Sequence, residues 1–567
     1  MGVGSFLGIP GTAPSWWRWW RIAGAACAGL GVGAVAFAYR FNTLGGTLGG
    51  FDNDHFIYLM RTDLLLRGEQ PLRDFVDAEL RGAWPALTYA VSAWAQRIGG
   101  RTLLPEAYLT VGALAAAHVV VLLLALDLSK RWSVALLAAV VAITTTPKLY
   151  NYPKVLMLAL GVWALRAAVL SPSVVRLAAA AAVTAAATLF RHDYAVYIAA
   201  AMIAALVVRE AGRWAAAARA VGIYSALTTA CLLPSAVWVQ TYEGIPAYLR
   251  NSLASVAAER ARTELRLPQF DLSAPFAGDG LLLLTYYAFW AVPVVAAATL
   301  IGRLAASPGS RVTAVERATA TGLLLMAILV NMSFLRANLG ERFGDAVVPI
   351  VLLAAWTVGA ASAWGAAAAR RSVTFVTVVL LVHTLGAAYV FADVARDLDT
   401  SGLSDSLGKT SRRFQAVRDD LSGLPPVEWS DDAAEGLLSA ARYIAECTSP
   451  DDRLLVAGPI HEILVFARRR LAAGQGMFKL SLYTSERDQR RALERLAHQS
   501  VPVVLADPRE FEDGFVSDYP LIARHLENAY REAGTIVVDK EPRFLVFVDA
   551  HRRPTRMDPH FGLPCFR

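Results

Sequence analysis

Apolar runs, most of them about 17 to 22 residues long, recur along this chain, close to the roughly 20 that a helix needs to cross a bilayer. Eleven such spans can be drawn, at about 22–39, 107–127, 133–147, 153–170, 174–190, 194–209, 220–239, 280–302, 318–335, 345–368 and 373–392. Beyond residue 392 the pattern changes. Segments 433–446 and 487–498 carry helical periodicity, while 454–457, 501–505, 535–538 and 544–548 are apolar runs of strand length. Alternation of this kind suggests a small α/β domain. The pattern predicts a polytopic α-helical membrane protein of about 11 transmembrane helices over 1–392, with a C-terminal extracytoplasmic α/β domain over 393–567. There is no internal repeat, and the one compositional bias is alanine in the spans, where small residues let helices approach closely.

Composition agrees: the 567 residues are 56% hydrophobic and only 18% charged, too apolar for an ordinary soluble domain. The net charge of +7 does not point to nucleic acid, because the basic residues form neither a tail nor a single face. They gather instead in alternate connectors: Lys130-Arg131, Arg166 with Arg176, Arg209 with Arg213 and Arg219, Arg303 with Arg311 and Arg317, and Arg370-Arg371. Together with Arg18 and Arg21 these mark the cytoplasmic side by the positive-inside rule, and they read as topology rather than chemistry. Residues 1–39 have the outline of a secretory signal, but the apolar run is longer than a signal's core, so an uncleaved first helix is expected. Trp16, Trp17, Trp19 and Trp20 would form its interfacial belt. An odd number of spans puts the tail on the outer side.

The opposite connectors carry the chemistry. They comprise the first external loop 40–106, the segment Pro147 to Lys154, Arg191-His192-Asp193-Tyr194, the long external loop 240–279, and Arg336 to Asp345. Asp52 and Asp54 follow the first span almost directly, where carboxylates are costly to desolvate. They read equally as solvated loop acids or a helix N-cap, or as a general base that takes a proton from an attacking hydroxyl. Asp74 and Asp77 alone carry little signal. Arg191-His192-Asp193 reads as an interfacial ion-pair cluster or as an anion site, since arginine offers a planar fork of donors to phosphate. Lys148, Lys154, Arg336 and Arg342 lie at the same membrane level; singly each could be a snorkelling anchor, but together they suggest a pocket for a lipid-borne phosphate. Asp52, Asp54 and His192 could ligate a metal, although no ligand spacing demands one.

The remaining motifs say less. Cys27 and Cys231 lie in apolar spans, and no cysteine has metal-ligand spacing. Cys447 and Cys565 could form a disulfide if the tail is exported. His461-Glu462 is not the zinc motif HExxH, because position 465 is valine. His498 and His551 read as surface residues.

The order of the external motifs resembles a known family. After the first helix come Asp52-Asn53-Asp54-His55-Phe56-Ile57-Tyr58-Leu59, then Arg67-Gly68-Glu69-Gln70-Pro71-Leu72-Arg73-Asp74-Phe75, then Trp84-Pro85-Ala86-Leu87-Thr88-Tyr89. This resembles the first external loop of GT-C-type integral membrane glycosyltransferases, which take a sugar from a polyprenyl-phosphate carrier; protein O-mannosyltransferases and the lipid A aminoarabinose transferase are members. Tyr150-Asn151-Tyr152-Pro153-Lys154 and Arg191-His192-Asp193-Tyr194 are similar to segments of bacterial members. The resemblance covers about residues 15–392, and more weakly the tail. It implies an inverting sugar transfer to an extracytoplasmic acceptor, at the outer face of a bacterial inner membrane; no cofactor is expected, and metal dependence stays open. By register with the following aromatic, Asp52 matches the family's catalytic base. Many relatives have Asp-Glu where this chain has Asp52-Asn53, so Asp54 could share or exchange that role. On this reading the cations set out above, Lys148, Lys154, Arg191, Arg336 and Arg342, with His192, are expected to hold the donor phosphate. Substrate positioning falls to Asp74, Asp77, Tyr150, Asn151, Asp193 and Tyr242, and the 240–279 loop would act as a lid.

Two other classes stay open. A transporter or flippase would line a path with buried charge, but should show repeat symmetry, which is absent. A metal-dependent oligosaccharyltransferase or ligase would move a whole glycan from a pyrophosphate carrier.

Overall fold

The computed structural model describes residues 15–44, 51, 53–76, 86–145, 147–262, 279–305, 312–333, 342–364, 366–423, 432–458, 461–476, 478, 483–538 and 541–567. Asp52, Asp77 and Arg336 lie outside the described residues, as do 263–278 of the expected lid. The chain groups into two compact units. One comprises 1–43, 108–234 and 262–414; the other comprises 44–107, 235–261 and 415–567. The first external loop thus groups with the tail rather than with the spans.

A helix fills most of each of the eleven expected spans among the described residues; those expected over 133–147 and 345–368 end early, at Thr144 and Ser362. Nine helices among the described residues are long and apolar enough to cross a membrane, which makes this a multi-pass, mostly helical membrane protein. Trp132–Thr144 and Val174–Phe190 are apolar but shorter. The first has 13 residues, about 20 Å of helix against a hydrocarbon core of about 30 Å. It stops at Thr144, just ahead of Pro147, which has no N–H to continue the ladder.

In the membrane unit, helix Phe343–Ser362 is the central one, buried along nearly its whole length and packed on five neighbouring helices. Glycines set its approach. A Cβ on Gly344 would meet the Pro147 nitrogen at 2.5 Å, and one on Gly359 would overlap the Leu128 carbonyl. Helix His192–Arg209 packs most extensively on Ala314–Met332, where Gly322 leaves 3.2 Å between its Cβ position and the Ala201 carbonyl. Such close backbone approach replaces the hydrophobic effect as the source of helix–helix attraction in lipid. At one end of the helices, Asp127 is fully buried between Lys130 Nζ at 2.7 Å and Arg166 Nε at 2.8 Å. The basic connectors are therefore not featureless: a buried carboxylate braces them.

In the second unit, helix Asn53–Leu66 packs on Ala86–Gly99 and on His461–Phe466. It ends in a left-handed Gly68 (φ 86°), where the Glu69 N–H reaches the Leu64 carbonyl at 3.0 Å. That is the glycine-closed helix end expected of a residue without Cβ. The tail forms a five-stranded mixed sheet. β1 (Arg453–Ala457) lies between and parallel to β2 (Arg470–Leu471) and β3 (Val503–Ala506). β4 (Tyr530–Val538) and β5 (Glu541–Asp549) form an antiparallel hairpin whose β5 pairs with β3. All four expected strand runs are strands, and both expected helices are present as Asp432–Cys447 and Glu486–Leu496. Cys447 and Cys565 are joined in a buried disulfide across 118 residues, tying a helix end to the chain terminus.

Candidate functional site

Two polar clusters contain most of the described candidate residues, one in each unit.

In the membrane unit the cluster is built from helix ends. Lys148 begins a corner that runs through the short 3-10 turn Leu149–Asn151, which carries Tyr150, into helix Tyr152–Leu170. Arg40, at the end of the first helix, donates to the Pro147 carbonyl at 3.0 Å and fixes the corner. Lys154, one turn into its helix, forms a buried ion pair with Asp345, which lies in the first turn of Phe343–Ser362. Asn151 Nδ2 donates to the same Asp345 oxygen at 3.3 Å. The other carboxylate oxygen, Asp345 Oδ1, is buried without a partner among the described residues. Arg342 immediately precedes that helix, and its Nε is likewise buried and unpartnered.

Helix His192–Arg209 begins at the same corner. Arg191 grips Asp193 through Nε at 3.2 Å and Nη2 at 3.3 Å. Lys154 and Arg191 both lie over the Tyr194 ring, at 5.9 and 6.0 Å. His192 is half-buried at the helix start. Lys148, Lys154, Arg191 and Arg342 therefore share one corner with Asp193 and Asp345, an arrangement suited to attracting an anion. Two of these cations already carry carboxylate partners, so Lys154 and Arg191 are not bare charges.

In the second unit, Asp54 sits half-buried in the first turn of its helix, where the N-terminal dipole favours a carboxylate. His55 Nε2 lies 3.1 Å from Glu106 Oε1, and Ser92 Oγ donates to Glu106 Oε2 at 2.5 Å. All three are buried, and they join three helices behind the acid motif. Arg61 is also buried and donates to the Tyr89 hydroxyl at 3.1 Å. Such a network ties His55 and Arg61, and so their helix, to its two neighbours.

Asp74 acts on its own loop. Its carboxylate accepts from the Gln70 N–H at 2.7 Å and from Arg73 at 2.6 Å. Partial burial pushes its pKa up, but the bonds from Arg73 and Gln70 outweigh that and hold it below the usual carboxylate range. Tyr242 packs against Trp238 with ring centroids 4.5 Å apart, and the Trp238 indole donates to the Pro71 carbonyl at 3.1 Å. The described part of the expected lid is helical, ending Trp214–Tyr242 and running through Ile245–Arg262.

Sequence reasoning gave no role to Asp345, Glu106, His55 or Ser92. A signal existed for two of them: Asp345 and Glu106 are lone acids within the first turn of apolar helices, where an unpaired charge is expensive. Among the described residues, the group spaced to hold a metal is Cys447, Asp558 and Cys565, and its two thiols are committed to the disulfide.

No protein-family model matches the sequence, and no curated protein matches it. Among solved structures, it is similar to the crystal structure of ArnT from Cupriavidus metallidurans in the apo state, with 13% identity, a TM-score of 0.47, and coverage of 93% of this chain and 98% of that one. It is likewise similar to ArnT from Cupriavidus metallidurans bound to undecaprenyl phosphate, with 13% identity, a TM-score of 0.49, and coverage of 95% of this chain and 99% of that one.

Proposed function

We propose that this protein is an inverting glycosyltransferase that moves a hexose or pentose from a polyprenyl-phosphate carrier to an extracytoplasmic acceptor in cell-envelope glycan assembly. The observation that carries the reading is the acid motif at the start of helix Asn53–Leu66, braced from behind by the buried His55–Glu106–Ser92 network. A general base has to be held still to within a fraction of an ångström, and a motif on a packed helix meets that requirement better than a free loop.

In this mechanism Asp52, with Asp54 as its alternate, takes the acceptor hydroxyl proton as the oxygen attacks the anomeric carbon. The bond from that carbon to the carrier phosphate breaks on the opposite side, and its electron pair stays on the phosphate oxygen. The leaving phosphate is stable as an anion, so no strong general acid is needed, unlike at an inverting glycosidase. Lys148, Arg191, Arg342 and Arg336 neutralise the developing charge. Lys154 joins them; it and Arg191 already carry carboxylate partners, Asp345 and Asp193, which fix their positions. His192 completes the anion site. Asn151, Tyr150, Asp193, Asp74, Asp77 and Tyr242 shape the substrate surroundings. The active site and tail face the periplasmic side of the inner membrane.

The test is transfer from a defined polyprenyl-phosphate sugar by the full-length protein in detergent, with Asp52→Asn and Asp54→Asn beside the wild type. Loss of turnover in one or both folded variants supports the reading, and undiminished turnover in both sinks the base assignment. Activity that disappears in chelator would favour a metal-dependent ligase instead.

A further inference from the structure

A cavity of about 350 Å³ in the second unit belongs to none of the roles above. Its wall is apolar, made by Leu59, Met60, Leu103, Leu464 and Val465. Its polar lining is dominated by arginine: Arg67, Arg101, Arg468 and Arg469, against the single carboxylate of Asp63.

These arginines differ in how far they are committed. Arg469 is buried and gives its donors to Thr448 Oγ1 and to the Thr448, Ala445 and Ala467 carbonyls, so it is a structural brace. Arg67 is tied to Asp63 at 2.7 Å and to the Arg468 carbonyl at 3.3 Å. Arg101 makes one contact with Asp63, at 3.2 Å, and is largely exposed. The Arg468 side chain is exposed and makes no hydrogen bond or ion pair among the described residues. Its backbone is left-handed (φ 53°), at the end of helix His461–Phe466, where the Arg469 N–H returns to the Leu464 carbonyl. Glycine is the usual occupant of that position, because a Cβ makes it unfavourable. Here it holds a long cation over the cavity mouth.

Location narrows the ligand. Leu103 both lines the cavity and begins a 27-residue membrane helix. Such a helix is roughly 40 Å long against a core of about 30 Å, so its ends stand at headgroup level. A partly apolar cavity with an arginine rim at that depth matches an amphiphile whose phosphate is exposed and whose chain begins beside it.

We propose that this cavity binds an anionic lipid headgroup with a terminal phosphate, the phosphate lying between the Arg101 and Arg468 guanidinium groups and the first chain carbons against Met60, Leu464 and Val465. Guanidinium suits phosphate because its donors form a planar fork. The site is independent of sugar transfer and is read by binding alone.

The experiment titrates the full-length protein in non-ionic detergent with dihexanoyl phosphatidic acid, dihexanoyl phosphatidylcholine and inorganic phosphate. Binding is followed by equilibrium dialysis and by the unfolding midpoint. Phosphatidic acid should bind at least tenfold more tightly than either of the others. Arg101→Gln with Arg468→Asn should weaken it at least tenfold; asparagine is chosen because it tolerates the left-handed backbone. Val465→Trp, which fills the apolar wall and leaves both arginines in place, should do the same. Arg487→Gln with Arg524→Gln, which removes two exposed arginines elsewhere, should change nothing. Equal binding of phosphatidylcholine, or wild-type binding in both cavity variants, overturns the proposal. Equal binding of inorganic phosphate overturns the lipid assignment in favour of a soluble anion.

Discussion

Lys154 and Asp345, 191 residues apart, form a buried ion pair where two apolar helices begin. Asn151 adds a second donor to the same carboxylate at 3.3 Å. The pair explains how a lysine survives among apolar spans: its charge is cancelled locally and one lone pair of its partner is satisfied. Removing either member strands the other in a low-dielectric setting, which typically costs about 3–5 kcal/mol. Lys154→Met alone and Asp345→Leu alone should therefore lose most of their folded yield in detergent. The double variant should recover thermal stability, because the uncompensated charge is gone. A double variant that is stable but inactive would assign the pair to substrate; one both stable and active would make it purely architectural.

His55 and Glu106 should matter to rate rather than to donor binding. Neither lies in the acid pair, yet their contact at 3.1 Å sets the helix that begins it. A displacement of about 1 Å at a reacting group can cost about a hundredfold in rate. Glu106→Gln keeps the shape and should lower kcat by about tenfold or more with KM for the donor nearly unchanged. Steady-state transfer kinetics check this. A rise in KM with kcat intact would place Glu106 at the substrate instead.

The Cys447–Cys565 disulfide closes a 118-residue loop of the tail. Restricting so long a loop in the unfolded chain contributes about 2–4 kcal/mol in most proteins. Cys565→Ser with Cys447→Ser should lower the tail's resistance to proteolysis by a corresponding amount. A thiol reductant should reproduce the effect in the wild type and add nothing in the double variant.

Acid should weaken the tail through His461. Burial, chiefly, pushes its pKa from the ordinary value near 6.5 down to about 3, and the ring donates Nε2–H to the Gly476 carbonyl at 2.7 Å. Between these values the unfolded chain binds a proton that the folded one does not. Its contribution is thus fully present above about pH 6.5 and is lost as pH falls toward 3. His461→Gln should flatten the tail's stability profile across that window, measured by denaturant unfolding at fixed pH values.

The periodicity of apolar residues by itself determined where the spans fall and which runs of the tail are strands, because burial in lipid or in a sheet core imposes a length and a period that composition must obey. It also set out the external clusters by their place between spans. Three of the expected site residues, Asp52, Asp77 and Arg336, lie outside the described residues, so the acid pair is located through Asp54 alone. The partners of the site were not legible. Lys154 reads as one of several external cations, with no sign that Asp345, 191 positions away, pairs with it, and nothing around Asp74 shows that its carboxylate accepts from the Gln70 N–H of its own loop. Local pattern is short-ranged, whereas neutralising a buried charge depends on which distant helix end packs beside it. The grouping of 44–107 with the tail had no sequence signal for the same reason. Contacts such as Glu69 with Arg453 at 2.6 Å are long-range matches of charge, and only tertiary packing decides them.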